Sequence, residues 1–121
     1  MATLTTTLKL QSTDATSDTA FSMIVTDSLT VTDPSVGVSR ITITTADNQE
    51  LVDEATSGVF YFYAKNTDNT NFVVLQTTGS VQYARLSPGE FCFFPVKGTK
   101  GVRAKSAAST AVLEYGYWTK G

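Results

Sequence analysis

The sequence predicts an all-β protein, an antiparallel β-sandwich of eight to ten short strands. Its 121 residues include 21 Thr, 12 Val, seven Phe, five Tyr and one Trp. These β-branched and aromatic side chains suit a pleated, half-buried surface. Turn residues recur at short, even intervals between the apolar segments, which is typical of sandwiches and jelly rolls. The strand number and a Pro-Gly turn favour a jelly-roll-like strand order over an immunoglobulin-like one, although both show the same strand spacing.

The first strand predicts an N-terminal arm attached to a single domain. In residues 3–10, Leu4, Leu8 and Leu10 fall on one face of a strand, with Thr and Lys on the other. Residues 11–19 are polar and predict a loop or hinge. We therefore assign residues 1–12 to an arm or edge strand and residues 13–121 to one sandwich domain, since this length suits a single core.

The remainder of the first half alternates strands with polar connections. Strands are predicted at residues 21–26, 28–32 and 38–45. Asp33-Pro34 predicts a turn between the last two. Residues 46–57 predict either one helical turn, capped by Asp47 with Glu50 three residues on, or a long polar connection between sheets.

The second half predicts six further strands. They lie at residues 59–65, 72–76, 81–86, 91–96, 102–105 and 110–118. Residues 66–71 are rich in Asn, Asp and Thr and predict a turn that caps its own backbone, and residues 87–90 predict a tight Pro-Gly turn. Pro95 has no N–H to donate, so its strand is expected to end there or to lie at a sheet edge.

The composition gives no support for an enzyme. There is no histidine, and Cys92 is the single cysteine, interpreted as a small buried hydrophobe. The acids of residues 47–54 (Asp47, Glu50, Asp53, Glu54) are interpreted as a solvated face rather than a catalytic pair. We expect no catalytic residue, no metal site and no cofactor.

The charge is split between the two halves of the chain. Residues 1–60 carry two bases and eight acids, for −6, and residues 61–121 carry seven bases and three acids, for +4, which gives the net −2. A net acidic chain is not expected to bind nucleic acid, despite its basic segment at residues 97–105. The N-terminus has no signal-peptide pattern and the densest apolar run, residues 59–64, is too short to span a bilayer, so no membrane partner is expected.

Three segments carry a resemblance to a known group of proteins. Residues 60–68, 86–95 and 112–118 contain a strand ending in Lys-Asn-Thr-Asp, a Pro-Gly-Glu turn and a Glu-Tyr strand. In this pattern, over residues 58–121, the chain resembles the small jelly-roll capsid decoration (cement) proteins of tailed bacteriophages. The resemblance implies a structural protein that is made in the host cytoplasm, binds the major capsid protein and resides on the capsid exterior.

The expected interface combines the arm with the basic segment. Its residues are Thr3, Leu4, Thr6, Leu8, Leu10, Lys97, Lys100, Arg103 and Lys105. The opposite charges of the two halves suit a homo-oligomer, a trimer in preference to a dimer. Two alternatives remain open: a vertex, head-fibre or tail-adaptor protein of the virion, and a carbohydrate-binding module. The module would use exposed members of a set of aromatics (Tyr61, Tyr63, Tyr83, Tyr115, Tyr117, Trp118) as a stacking platform.

Overall fold

The structure is a computed structural model that describes residues 2–13, 20–53 and 58–120, with the backbone alone for residues 33–37. Within these ranges the chain forms nine strands and no helix, in two antiparallel sheets. The strands are β1 (Ala2–Ser12), β2 (Phe21–Ile43), β3 (Gln49–Val52), β4 (Val59–Asn66), β5 (Val73–Gln76), β6 (Gln82–Leu86), β7 (Phe91–Lys97), β8 (Val102–Ser106) and β9 (Ala111–Lys120). The predicted all-β sandwich is confirmed.

The two sheets differ in size and pair their strands in a nested way. The five-stranded sheet has the order β1-β2-β9-β4-β7, and the four-stranded sheet has the order β3-β8-β5-β6. Strands equally far from the middle of the β2–β9 segment pair with each other: β5 with β6, β4 with β7, β3 with β8, and β2 with β9. The segment from β2 to β9 is therefore paired like one long hairpin that has been rolled into two sheets.

The core lies between the sheets and is built mainly by alternate residues of β4, β8 and β9, together with buried residues of β3 and β5. Phe60 and Phe62 of β4, Leu75 of β5 and Leu113 of β9 have no exposed surface. Burial of each such side chain contributes about 1.5–3 kcal/mol relative to exposure. The strands of the rolled segment are thus held by one continuous apolar layer.

The region predicted as two strands and a turn is a single long strand. β2 continues through Asp33 and Pro34, so the turn predicted there is wrong. Pairing between β2 and β9 shifts register three times between Val31 and Ser39. Such bulges leave unpaired positions where a residue without an N–H is accommodated. Pro34 therefore lies in an irregular strand segment.

The connection at residues 46–57 also contains a strand. Gln49–Val52 form β3, which pairs with β8, and bends and turns lead into it over residues 45–48. Four residues were too few for an alternation signal, although Leu51 and Val52 are both buried. Residues 54–57 lie outside the described ranges.

The turn at residues 66–71 is organised by its own side chains, as predicted. Asp68 Oδ2 accepts the backbone N–H groups of Thr70 and Asn71 at 3.0 and 2.8 Å, and these bonds lower the pKa of its carboxyl. Asn66 is fully buried and donates from Nδ2 to the carbonyls of Asn71 and Leu86, both at 2.9 Å. Asn66 thereby ties the end of β4 to the start of the Pro-Gly turn.

Candidate interaction surface

The most exposed part of the described chain is a two-stranded N-terminal ribbon. β1 pairs with residues 21–31, the first half of β2, from Ala2 opposite Val31 to Ser12 opposite Phe21. The second half of β2 pairs instead with β9, inside the five-stranded sheet. Ten residue steps at the strand rise give the ribbon a length of about 30 Å. We call residues 2–12 and 21–31 the N-terminal ribbon.

The register of this ribbon separates its side chains into two faces of different chemistry, because successive residues of a strand alternate. One face is largely apolar and comprises Leu4, Leu8, Leu10, Phe21, Met23, Val25 and Leu29, with Thr6, Ser12 and Asp27 among them. The opposite face is Thr3, Thr5, Thr7, Lys9, Gln11, Ser22, Ile24, Thr26, Ser28 and Thr30. We call these the apolar and the polar face of the ribbon.

The apolar face is covered only where the ribbon joins the sandwich. Val31 is buried, and Leu4 and Leu29 are half-buried. Further out, Leu8 is 45% exposed and Val25 52% exposed. The five exposed apolar side chains at positions 8, 10, 21, 23 and 25 together leave on the order of 400 Å² of apolar surface uncovered, which is the size of the largest apolar patch on a typical monomer, a patch that is often functional.

A cavity separates the ribbon from the edge strand β7. Its volume is about 310 Å³, and it is lined by Thr6, Thr7, Leu8, Val25, Phe91, Cys92 and Phe93. Among the described strands β7 pairs with β4 alone, so its other side is a sheet edge, as Pro95 predicted. The ribbon thus approaches β7 without closing the space between them.

The outward side of β7 carries its own uncovered aromatic residues. Cys92, Phe94 and Val96 pack against the core, so the alternate residues Phe91 and Phe93 point away from it. Phe93 stacks on Tyr61 with ring centroids 6.1 Å apart and an interplanar angle of 11°. Phe91 is 65% exposed. An apolar strip therefore faces the cavity from the sandwich side.

Next to this strip, a polar cluster lies on the outer face of the same sheet. Tyr63 donates its hydroxyl to Glu114 Oε1 at 2.8 Å, and Arg40 Nε lies 3.5 Å from Glu114 Oε2. Burial, followed by the neighbouring carboxylate of Glu114, raises the pKa of Tyr63 to about 12. Tyr63 on β4 and Arg40 on β2 both contact Glu114 on β9. The cluster therefore links three neighbouring strands of the sheet.

The predicted interface residues divide into two groups. Leu4, Thr6, Leu8 and Leu10 share the apolar face of the ribbon, and Thr3 lies on the polar face. The basic residues are dispersed, with Lys97 on β7 and Lys100 in the β7–β8 connection, whereas Arg103 and Lys105 lie on β8 of the four-stranded sheet. Arg103 is also engaged internally, with Nη2 3.6 Å from Glu50 Oε1.

Sequence reasoning missed half of the apolar face. Phe21, Met23, Val25 and Leu29 were assigned to strands but not to an interface. Their alternation with Ser22 and Thr26, interrupted by the apolar Ile24, resembles that of residues 4–10, and this amphipathic pattern on both sides of a polar loop was the signal for a ribbon.

The aromatic residues considered for a stacking platform divide between surfaces. Tyr115 and Tyr117 pack against the core, and Tyr83, on β6 of the four-stranded sheet, meets the edge of Phe94. Tyr61, Tyr63 and Trp118 share the outer face of the five-stranded sheet, where Tyr61 lies opposite Trp118 and is buried beneath Phe93. Trp118 lies over Gly116, where an added Cβ would be 3.3 Å from its ring.

The side chains of Asp47 and Cys92 are explained by their contacts within the fold. Asp47 accepts hydrogen bonds from Gln76 Nε2 at 2.8 Å and Ser80 Oγ at 2.9 Å, which lower the pKa of its carboxyl. Burial raises the pKa of the Cys92 thiol to about 11, which keeps it protonated and unreactive at neutral pH. Within the described ranges, no group of three or more His, Cys, Asp or Glu is placed to hold a metal ion. Glu54 lies outside those ranges.

Comparisons of the chain with protein families, curated proteins and solved structures find no match. Within the described residues there is also no helix with the length and apolarity needed to cross a membrane.

Proposed function

We propose that this protein is a non-enzymatic structural component of a virus particle that binds the capsid exterior and stabilises the shell. The observation that carries the proposal is the N-terminal ribbon, which is about 30 Å long and leaves most of its described surface exposed beside a tightly packed sandwich. A rigid domain with an exposed β-arm suits attachment to a lattice of repeated subunits, because the arm contacts a neighbour while the domain keeps its shape.

The nested strand pairing supports the same proposal. The eight strands β2 to β9 form two sheets. Their pairs are nested along the chain, from the outermost pair, β2 with β9, to the innermost pair, β5 with β6. We infer a jelly-roll strand order from this nesting, which extends the resemblance to phage decoration proteins.

The ribbon also provides a means of attachment. β1 is an edge strand, paired on one side only, so its outer backbone N–H and C=O groups are available to a further strand. Under this proposal the free edge of β1 pairs with an extended segment of the major capsid protein, with the Thr-rich polar face beside it. Binding to the assembled shell, and not to its separated subunits, then stabilises the particle by mass action.

The first test is the copy number of this protein per major capsid subunit in purified virus particles, measured by quantitative mass spectrometry. A decoration protein is expected near one copy per subunit or at a simple fraction such as one-third. A few copies per particle would indicate a vertex, head-fibre or tail-adaptor protein instead. Absence from all particle fractions would overturn the virion proposal.

The second test removes the arm. A variant lacking residues 1–12 is expected to lose binding to particles that lack the protein, measured by co-sedimentation, while its circular dichroism spectrum remains that of a folded sandwich. The matched control is Val81→Thr, a change at an apolar side chain with 61% exposure on the β5–β6 turn. Unchanged co-sedimentation of the deletion variant would exclude attachment through β1.

A further inference from the structure

Two uncovered apolar surfaces of this chain meet at one cavity. The apolar face of the ribbon contributes Leu8 and Val25 to it, and the outward side of β7 contributes Phe91 and Phe93. The space of about 310 Å³ left between them is large enough for several apolar side chains. Each surface therefore remains in contact with solvent although a complementary one lies nearby.

We propose that a second copy of this chain covers both surfaces, with the apolar face of one copy's ribbon docked on the Phe91–Phe93 strip of the other. The contacts needed are all present in one sequence, so no partner of different chemistry is required. An element that packs loosely within its own chain is exchanged between identical chains at little cost.

The junction between ribbon and sandwich permits this exchange. β2 leaves the five-stranded sheet through three register shifts between Val31 and Ser39. Bulges bend a strand and interrupt its ladder of hydrogen bonds. The ribbon can therefore change its angle to the sandwich while the β1–β2 pairing, which is regular from Ala2 to Phe21, stays intact.

The area involved reaches that of a stable association. In an exchange between two copies, two ribbon faces and two receiving strips are buried, on the order of 1,200 Å² in total, which is at the lower end of the range for specific complexes. Phe91 and Phe93 supply the aromatic side chains that are enriched in such interfaces.

The charges of the ribbon do not oppose self-association. Lys9 and Asp27 are its two charged residues; Lys9 lies on the polar face, away from the contact, and Asp27 lies on the apolar face opposite Thr6. The receiving positions 91–93 carry no charged side chain, so docking the ribbon there sets no like charges against each other.

The test uses two full-length variants that each contain one cysteine. In a Cys92→Ala background, one carries Leu8→Cys and the other, isotopically labelled, carries Phe91→Cys. A short bismaleimide linker added to their mixture can join these two positions only between chains. We expect mixed dimers, identified by mass, at least about fivefold above the self-linked dimers of either variant alone.

A variant with both Leu8→Cys and Phe91→Cys in one chain tests the opposite outcome, in which the linker joins the two positions within a single chain. If the linker joins the two positions only within single chains, the ribbon closes on its own sandwich and the proposal is overturned. The same conclusion follows if the mixture gives no more mixed dimer than self-linked dimer.

Two neighbouring substitutions test which face is responsible. Val25→Thr replaces a methyl group of the apolar face with a hydroxyl, and Ile24→Thr alters the polar face at a residue of similar exposure (62%). We expect Val25→Thr to raise the dissociation constant of the oligomer about tenfold in light scattering, and Ile24→Thr to change it less than about twofold. Equal effects would contradict docking through the apolar face.

These measurements use the free protein and are independent of the virion proposal. Mixed dimers from a protein that is absent from particles would leave the exchange standing and overturn the virion proposal. A monomeric protein that binds particles through β1 would do the reverse.

Discussion

The ribbon and the sandwich are built from the same kind of strand, yet only the sandwich buries its apolar side. β1 alternates Thr with Leu, and the β4 strand alternates Tyr with Phe. Phe62 on β4 has no exposed surface because a second sheet packs over it, whereas Phe21 in the ribbon is 36% exposed. Alternation therefore specifies a strand with one apolar face, but a covering layer decides whether that face contributes to stability.

The comparison predicts the largest difference for matched phenylalanine substitutions. Phe62→Ala is expected to lower the free energy of unfolding by about 3–5 kcal/mol, because it leaves a cavity between the sheets. Phe21→Ala is expected to change it by less than about 0.5 kcal/mol in dilute, unassociated protein. Urea denaturation at low protein concentration measures both, and a similar loss in the two variants would show that the ribbon is already packed within the monomer.

A smaller difference is expected for two asparagines of one turn. Asn66→Ala removes the donor to the carbonyls of Asn71 and Leu86, and we expect a loss of about 2–3 kcal/mol because the Leu86 carbonyl is left without this buried partner. Asn69, exposed in the same turn, is the control, with an expected change within about 0.5 kcal/mol for Asn69→Ala. Thermal unfolding distinguishes them. If Asn66→Ala unfolds at the same temperature as the unmodified protein, the two connections are held by packing alone.

The smallest effect is expected on the outer face of the five-stranded sheet. A Cβ on Gly116 would lie 3.3 Å from the ring of Trp118 and 3.4 Å from Val38, so Gly116→Ala requires these side chains to shift and is expected to cost about 1 kcal/mol. Gly79→Ala, where the nearest atom is 4.0 Å away, is the control and is expected to cause no loss. Denaturant titration gives the energies, and the fluorescence of the single tryptophan reports the shift. An unchanged spectrum with unchanged stability would show that this face is loosely packed.

The predictability of the strands followed their length and patterning. β4, β7 and β9 are rich in aromatic and β-branched residues and were located to within two residues of their ends. β3 was missed because four residues carry too little periodicity, and its pairing with β8 depends on a partner about fifty residues away. Asp33-Pro34 was assigned to a turn because its local preference for one is strong. β2 pairs with β9 both before this dipeptide, at Val31, and after it, at Val36, and this pairing keeps the strand continuous.

The candidate interface was half predictable for a similar reason. Residues 3–10 showed their amphipathic pattern directly, and the structure places four of the five predicted arm residues on one face. The basic residues were grouped by proximity in sequence. The β7–β8 connection leads from the five-stranded to the four-stranded sheet, so these residues are divided between the two sheets. Spacing along a chain predicts a common surface only within one strand or one hairpin.

The class of structure follows from local sequence patterns, because β-branched and aromatic residues with period-two alternation leave few alternatives to an antiparallel sandwich. These patterns also determined the local chemistry of each strand, including the apolar side of β1. Strand partners depended on the rest of the fold. β2 is shared between β1 and β9, and most of the ribbon's apolar side chains remain exposed among the described residues. Those features depend on register and on long-range pairing, which a pattern local to each strand does not encode.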